Sequence, residues 1–325
     1  MRPYAFSVAR TVRAATDHTA TDAMFLAGGT TLVDLMKLEV LTPARVVDIN
    51  GLPLTGITTG ADGLRIGALE RMAAVAEHPG VRRDFPLISQ ALELSASPQL
   101  RNMASMGGNL LQRTRCGYFR DTTVPCNKRD PGSGCPAVTG YNRAHAVLGT
   151  SDACVATHAS DVAVALVAAE ATVVLQGPRG ERAVALDRFY RLPGSTPHVE
   201  NDLGSGELVA AITVPRLPSG TRSGYLKVRD RQSYEFALTS VAAAVTVVSG
   251  VMTRVRVAAG GVATVPWRLP EVENLLIGRP PSAAVFEAAA AAAATDARPL
   301  DHNGFKPHML RRAIARALAD ITDVS

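Results

Sequence analysis

The chain has 325 residues, 47% of them hydrophobic and 19% charged, which is enough for two or three packed domains rather than one core. Its formal charge of +5, from 34 Lys and Arg against 29 Asp and Glu, suits a polyanionic ligand, but aromatics are only 5% and no basic block is interleaved with them, so nucleic acid is not indicated. No apolar run approaches the roughly 20 residues of a bilayer span, and Met1–Arg13 lacks the apolar centre of a secretory signal. A cytoplasmic location is the default expectation, with the periplasm, reached as passenger of a signal-bearing partner, as the alternative.

In chain order, a strand is predicted over Met24–Ala27, ending in Gly28-Gly29-Thr30-Thr31, then an amphipathic helix through Leu32, Leu35, Met36 and Val40. Strands follow at Arg45–Asn50 and Leu64–Ala68, with a helix from about Met72 and another from Pro86 to about Ala96. A second Gly-Gly turn is read in Ser105-Met106-Gly107-Gly108-Asn109. Ser160 is an N-cap for a helix Asp161–Ala171, and Thr172–Leu175 with Arg182–Leu186 read as a hairpin. Beyond a linker at Pro215–Gly220 come a strand Gly224–Arg229, a segment Ala237–Val248 that fits helix or strand, and a strand Thr253–Ala259. The end is helical, with Pro307 in the first turn and an apolar stripe of Leu310, Ile314, Ala317 and Ile321.

Between Arg113 and Thr157 the chain is rich in Gly, Pro, Arg and Asp and has little periodicity, and a loop of that length needs something to tie it down. All four cysteines, Cys116, Cys126, Cys135 and Cys154, lie in it, separated by nine, eight and eighteen residues. Four thiolates complete one metal site. A structural zinc site usually contains tight C-x2–4-C pairs, which are missing here, whereas a [4Fe-4S] cluster is larger and accepts widely spaced ligands. The cluster is therefore preferred and zinc is the runner-up; two disulfides are the remaining reading, set back by the lack of any sign of secretion. Arg113, Arg115, Arg120, Lys128 and Arg129 crowd the same loop, where they can offset the negative charge of a thiolate-ligated cluster.

The glycine turns allow close backbone approach to a pyrophosphate, with amide N–H groups and the hydroxyls of Thr30 and Thr31 as donors. No G-x-G-x-x-G follows the first strand, so a Rossmann site is not indicated. Leu26-Ala27-Gly28-Gly29-Thr30-Thr31-Leu32, Leu64-Arg65-Ile66-Gly67-Ala68-Leu69, Ser105-Met106-Gly107-Gly108-Asn109-Leu110, Tyr225-Leu226-Lys227-Val228-Arg229 and Gly260-Gly261-Val262-Ala263 occur in that order. Together they resemble the FAD subunit of the xanthine dehydrogenase and molybdenum aldehyde oxidoreductase family. The cysteine loop is similar to that of members carrying an extra [4Fe-4S] cluster, the bacterial periplasmic-type aldehyde oxidoreductases.

The resemblance implies an α+β fold: a two-lobed FAD-binding domain of the vanillyl-alcohol-oxidase/PCMH type (residues 1–56, then 57–216 with the cluster loop 112–157) and a C-terminal α/β lobe (217–325). It also implies that Leu26, Ala27, Gly28, Gly29, Thr30, Thr31 and Leu32 wrap the pyrophosphate of FAD, approached from the second turn by Ser105, Gly108 and Asn109. Asp161 would hold ribityl or ribose hydroxyls and Lys227 would lie near the flavin ring, with Cys116, Cys126, Cys135 and Cys154 as cluster ligands. Implied partners are a large molybdopterin subunit, a small subunit with two [2Fe-2S] clusters and an external electron acceptor, the chain itself relaying electrons. One alternative is a stand-alone FAD-dependent oxidase or dehydrogenase, for which Tyr234, Glu235 and His308 are the acid–base candidates. The other is a zinc-stapled binding module without redox activity.

Overall fold

Three sheets follow one another along the chain in the computed structural model, which describes residues 1–17 and 23–324. The first is parallel, β1 (Ala5–Val8), β2 (Ala23–Leu26) and β3 (Arg45–Asp48), in the order β1-β3-β2. The second is antiparallel and five-stranded: β4 (Ile57–Gly60), β5 (Gly63–Gly67), β6 (Thr172–Gly177), β7 (Gly180–Ala185) and β8 (Leu208–Val214), in the order β4-β5-β8-β6-β7. The third is antiparallel, β9 (Thr221–Val228), β10 (Thr239–Val248), β11 (Val251–Gly260) and β12 (Trp267–Arg268), in the order β12-β11-β10-β9. Helices lie between and against these sheets, so the fold is α+β as expected; the C-terminal part carries its helices on an antiparallel sheet rather than in βαβ units. Among the described residues no helix is long and apolar enough to cross a membrane.

The segment that fitted either helix or strand is strand β10, and its burial explains the ambiguity. Its first eight residues are all buried. Val241, Ala243 and Val245 face a core formed with Phe286, Leu310, Ile314 and Leu318 of the C-terminal helices, while Ala242 belongs to the core that contains Leu92, Val164 and Ala258. A strand covered on both faces reads as an unbroken apolar run without period 2. Each buried Val contributes about 1.5–3 kcal/mol relative to exposure.

Two local expectations are corrected. Ser105–Asn109 is not a turn: a short helix, Met106–Leu110, starts there, with Ser105 Oγ accepting from Gly108 N at 3.2 Å. Glycines fit its first turn because a Cβ on Gly107 would lie 2.9 Å from Ala68 Cβ, where the amide of Gly107 bonds Ala68 O beyond β5. The helices read as ending near Ala96 and Ala171 stop earlier, at Glu93 and Ala168, before Ala96 and Glu170 at φ 47° and 56°.

The cysteine-bearing loop holds only a short helix, Gly117–Arg120, and a 3₁₀ turn, Pro136–Val138, and is tied down by its cations. Arg113 and Lys128 converge on Glu200 at 2.5 and 2.8 Å, and Arg120 grips Asp34 with two bonds of 2.7 and 3.0 Å. Arg129 donates to the carbonyls of Tyr118, Phe119 and Val124. Four of the five side chains grouped by sequence as charge compensation for a cluster thus help to fasten the loop, Arg115 being the exception.

Candidate functional site

A trough runs along one end of the third sheet, where Lys227, Ser240 and Gly260 face the loops of the N-terminal parts, and is made of two clefts of about 550 and 660 Å³. The smaller is lined by Thr30, Thr31, Gly108, Asn109 and Lys227, the larger by Cys116, Tyr118, His145, Ser240 and Gly261. Arg115, Asp161, Glu235 and Phe236 line both, so the two are continuous.

The first glycine turn forms one end. Asn50 Nδ2 donates to Ala27 O at 3.0 Å and Arg71 bonds both Asn50 and Met103 O, which pins the turn against the neighbouring segment. A Cβ on Gly28 would fall 2.0 Å from Met103 O, so only glycine permits this approach; Gly29 has φ +74°. Among the described residues the amide N–H groups of Gly29, Thr30, Thr31 and Leu32 have no acceptor in the chain. Orphan amides at a helix start, with no side chain in the way, suit a pyrophosphate. Of the seven residues expected here, Thr30 and Thr31 line the cleft; Leu26, Ala27, Gly28, Gly29 and Leu32 shape the turn without lining it. In the second element Gly108 and Asn109 line the cleft, while Ser105 is buried as the helix cap. Asn109 is bridged to the next element by Ser160, whose hydroxyl donates to Asn109 Oδ1 and accepts from Ala163 N.

Asp161 sits at the junction. It is 8% exposed, and both its oxygens are taken: Tyr225 donates to Oδ1 at 2.7 Å, and Lys227 at 2.9 Å and Ser95 at 3.2 Å donate to Oδ2. Tyr225 and Lys227 are two apart on β9 and so share a face. Burial, with Asp161 beside it, raises the Tyr225 phenol well above its ordinary range and keeps it a donor. Lys227 also donates to Leu94 O. Sequence reasoning placed Asp161 and Lys227 separately along the cofactor; here they form one buried ion pair in the wall. It missed Tyr225 and Ser95, although the two-residue spacing of Tyr225 and Lys227 was legible. It also missed Arg115 as a cleft residue. That guanidinium lies over the Phe236 ring at 5.5 Å and 4.0 Å from Asp34, and its Nη1 is buried without a hydrogen-bond acceptor.

All four cysteines line one further small void, with Phe119, Lys128, Pro136 and Ala153. None is in a disulfide. Burial pushes the Cys116 thiol up to about 12 and raises Cys135 and Cys154, Lys128 opposing it at Cys154. A metal would have to supply the charge that makes these thiolates. Among the described residues no three His, Cys, Asp or Glu side chains converge as ligands of a single ion. The four cysteines surround this shared void without being drawn together as ligands of one ion. Cys116 and Tyr118 line both this void and the larger cleft, and His145 Nε2 lies 3.1 Å from Cys116 Sγ. Of the acid–base candidates for a stand-alone oxidase, Tyr234 and Glu235 line the smaller cleft, whereas His308 is exposed on the C-terminal helix.

A glycine turn with free amides facing a trough along the third sheet fits a flavin-binding subunit. The chain belongs to the FAD-binding medium-subunit family of molybdenum-containing oxidoreductases. Residues 2–217 match the FAD binding domain in molybdopterin dehydrogenase, and residues 224–321 match the CO dehydrogenase flavoprotein C-terminal domain. The chain is 50% identical over 301 residues to the aldehyde oxidoreductase FAD-binding subunit PaoB of Escherichia coli K12, covering 92% of this chain and 91% of that protein. It is 31% identical to the glyceraldehyde dehydrogenase medium chain of Sulfolobus acidocaldarius, over 78% of this chain and 73% of the relative. The structure of carbon monoxide dehydrogenase from Hydrogenophaga pseudoflava superposes with a TM-score of 0.78 at 26% identity, covering 99% of this chain and 98% of the other.

Proposed function

We propose that this chain is the FAD- and [4Fe-4S]-binding electron-transfer subunit of a heterotrimeric molybdenum hydroxylase that oxidises aldehydes, or related N-heterocycles, to carboxylic acids or hydroxylated products. Its partners are a large molybdopterin subunit and a small subunit with [2Fe-2S] clusters, and an external acceptor takes the electrons. Residues 1–56 and 57–216 clasp FAD and residues 217–325 close the trough. The aldehyde reading rests on the relative with 50% identity. The relay reading rests on one observation above all: four cysteines line a single void whose wall, Cys116 and Tyr118, is also the wall of the larger cleft.

Bound FAD supplies the exchange between one-electron and two-electron transfer. The chain's own part is to bind and orient. Residues 26–32 present amides and threonine hydroxyls to the pyrophosphate, with Gly108 and Asn109 opposite. The Asp161–Lys227–Tyr225 network fixes the wall at the junction, and the Arg115 guanidinium offers an unused donor to an anionic part of the cofactor. Cys116, Cys126, Cys135 and Cys154 hold the cluster. Two observations stand against the alternatives: His308 is not among the residues lining either cleft, and the cysteines contain no tight C-x2–4-C pair of the kind zinc sites use.

The test is the visible spectrum of anaerobically purified protein, with iron, sulfide, zinc and released flavin measured on the same sample. About one FAD with about four iron and four sulfide per chain is expected, and Cys135→Ser should lose the iron while keeping the flavin. FAD without iron removes the cluster from the proposal; zinc without flavin removes the proposal altogether.

A further inference from the structure

His145 has no role in the reading above, yet it is 6% exposed, lines the larger cleft and puts Nε2 3.1 Å from Cys116 Sγ. Its Nδ1 is buried with no hydrogen-bond partner. A neutral imidazole has one N–H to place. On Nδ1 it would be an orphaned donor, with a lone pair aimed at sulfur; on Nε2 it meets the sulfur and leaves only an unused acceptor, the less costly choice. The ring is held in place independently of the cysteine: its backbone amide donates to Asn142 O at 2.9 Å, its carbonyl accepts from buried Asn303, and Tyr118 packs 6.1 Å away. Cys116 is also the cysteine shared by the four-cysteine void and the cleft.

Building on the proposed cluster, we propose that His145 is a positioning residue whose Nε2–H donates to the Cys116 sulfur, holding that ligand in the wall facing the flavin cleft and setting the cluster's reduction potential. A donor to a ligand sulfur stabilises the more negative, reduced cluster, so its presence raises the potential. No bond is made or broken; the residue acts through Cys116.

The experiment is a redox titration followed by electron paramagnetic resonance on the anaerobically purified protein, in the assembly in which it is isolated, with iron and sulfide measured for every variant. His145→Leu removes the donor, His145→Asn keeps a polar group too short to reach the sulfur, and His145→Gln can restore an N–H near the Nε2 position. The expected result is a midpoint potential shifted downward in the Leu and Asn variants, iron and sulfide unchanged, with Gln returning it toward the wild-type value. An unshifted potential in an intact cluster of either donor-free variant overturns the proposal. So does loss of iron from both, which would assign His145 to assembly of the cluster instead. Wild-type protein without iron is a different failure, that of the cluster reading itself.

Discussion

At the scale of single residues, the Asp161–Lys227 pair carries the largest local stake. The Lys227 side chain is 1% exposed and the Asp161 side chain 8%, so the pair is held by mutual charge and by Tyr225, Ser95 and Leu94 O rather than by water. Removing one partner of such a pair costs on the order of 3–5 kcal/mol, because the other charge is left buried. Lys227→Met is expected to destabilise the protein by about that amount in denaturant unfolding, and adding Asp161→Asn should recover part of the loss. His158 makes a separate prediction. Burial lowers its pKa to about 4, and its Nδ1 accepts from Ser160 N, so the folded protein keeps the ring neutral. The unfolded chain takes up a proton near the ordinary value of about 6.5 while the native one does not, so this contribution to stability is present above pH 6.5 and lost as pH falls towards 4, by on the order of 3 kcal/mol. Thermal melts from pH 7 to 4 should show a fall in Tm that is smaller in His158→Phe.

At the scale of elements, the first glycine turn is where sequence and structure agree most closely. Gly28 is required by a neighbour 75 positions later in the chain, Met103, whose carbonyl occupies the place of a Cβ. Gly28→Ala is expected to push the turn off that segment and to lower bound flavin per chain several-fold, read by absorbance of the purified protein, with far-UV circular dichroism little changed. The second glycine element was legible as a place of close approach but not as a helix, because a five-residue helix capped by Ser105 offers no periodicity to detect. Strand β10 was ambiguous for the opposite reason: burial on both faces erased its alternation.

At the scale of the whole molecule, the C-terminal segment locks the cysteine loop to the third sheet. Lys306 is fully buried, donates to Ala144 O at 3.0 Å and Gly261 O at 2.6 Å, and burial with Arg143 nearby lowers its pKa to about 7. Asn303 and Asn142 extend the clamp, Asn142 Oδ1 accepting from His302 N at 2.9 Å. Lys306→Ala leaves the Gly261 carbonyl without its donor, Ala144 O with only the Thr157 hydroxyl, and a cavity behind, a loss on the order of 3 kcal/mol. Hydrogen exchange should accelerate at the amides of residues 145–148, far from the substitution in sequence.

The sequence by itself determined the α+β class, the glycine-bearing first turn and the clustering of all four cysteines in one loop, because glycine conformation, local periodicity and cysteine spacing are properties of short stretches. Only the tertiary structure decided that Asp161 and Lys227 form one buried pair and that Arg115 lies where the two clefts meet. It also decided that the loop's cations mostly serve Glu200, Asp34 and backbone carbonyls, and that Cys116 stands beside His145. Apart from the Arg129 bonds to carbonyls 5 to 11 positions away, those contacts join residues 29 to 87 positions apart, and which partner a side chain finds at such a separation is set by how the sheets stack, not by its neighbours along the chain.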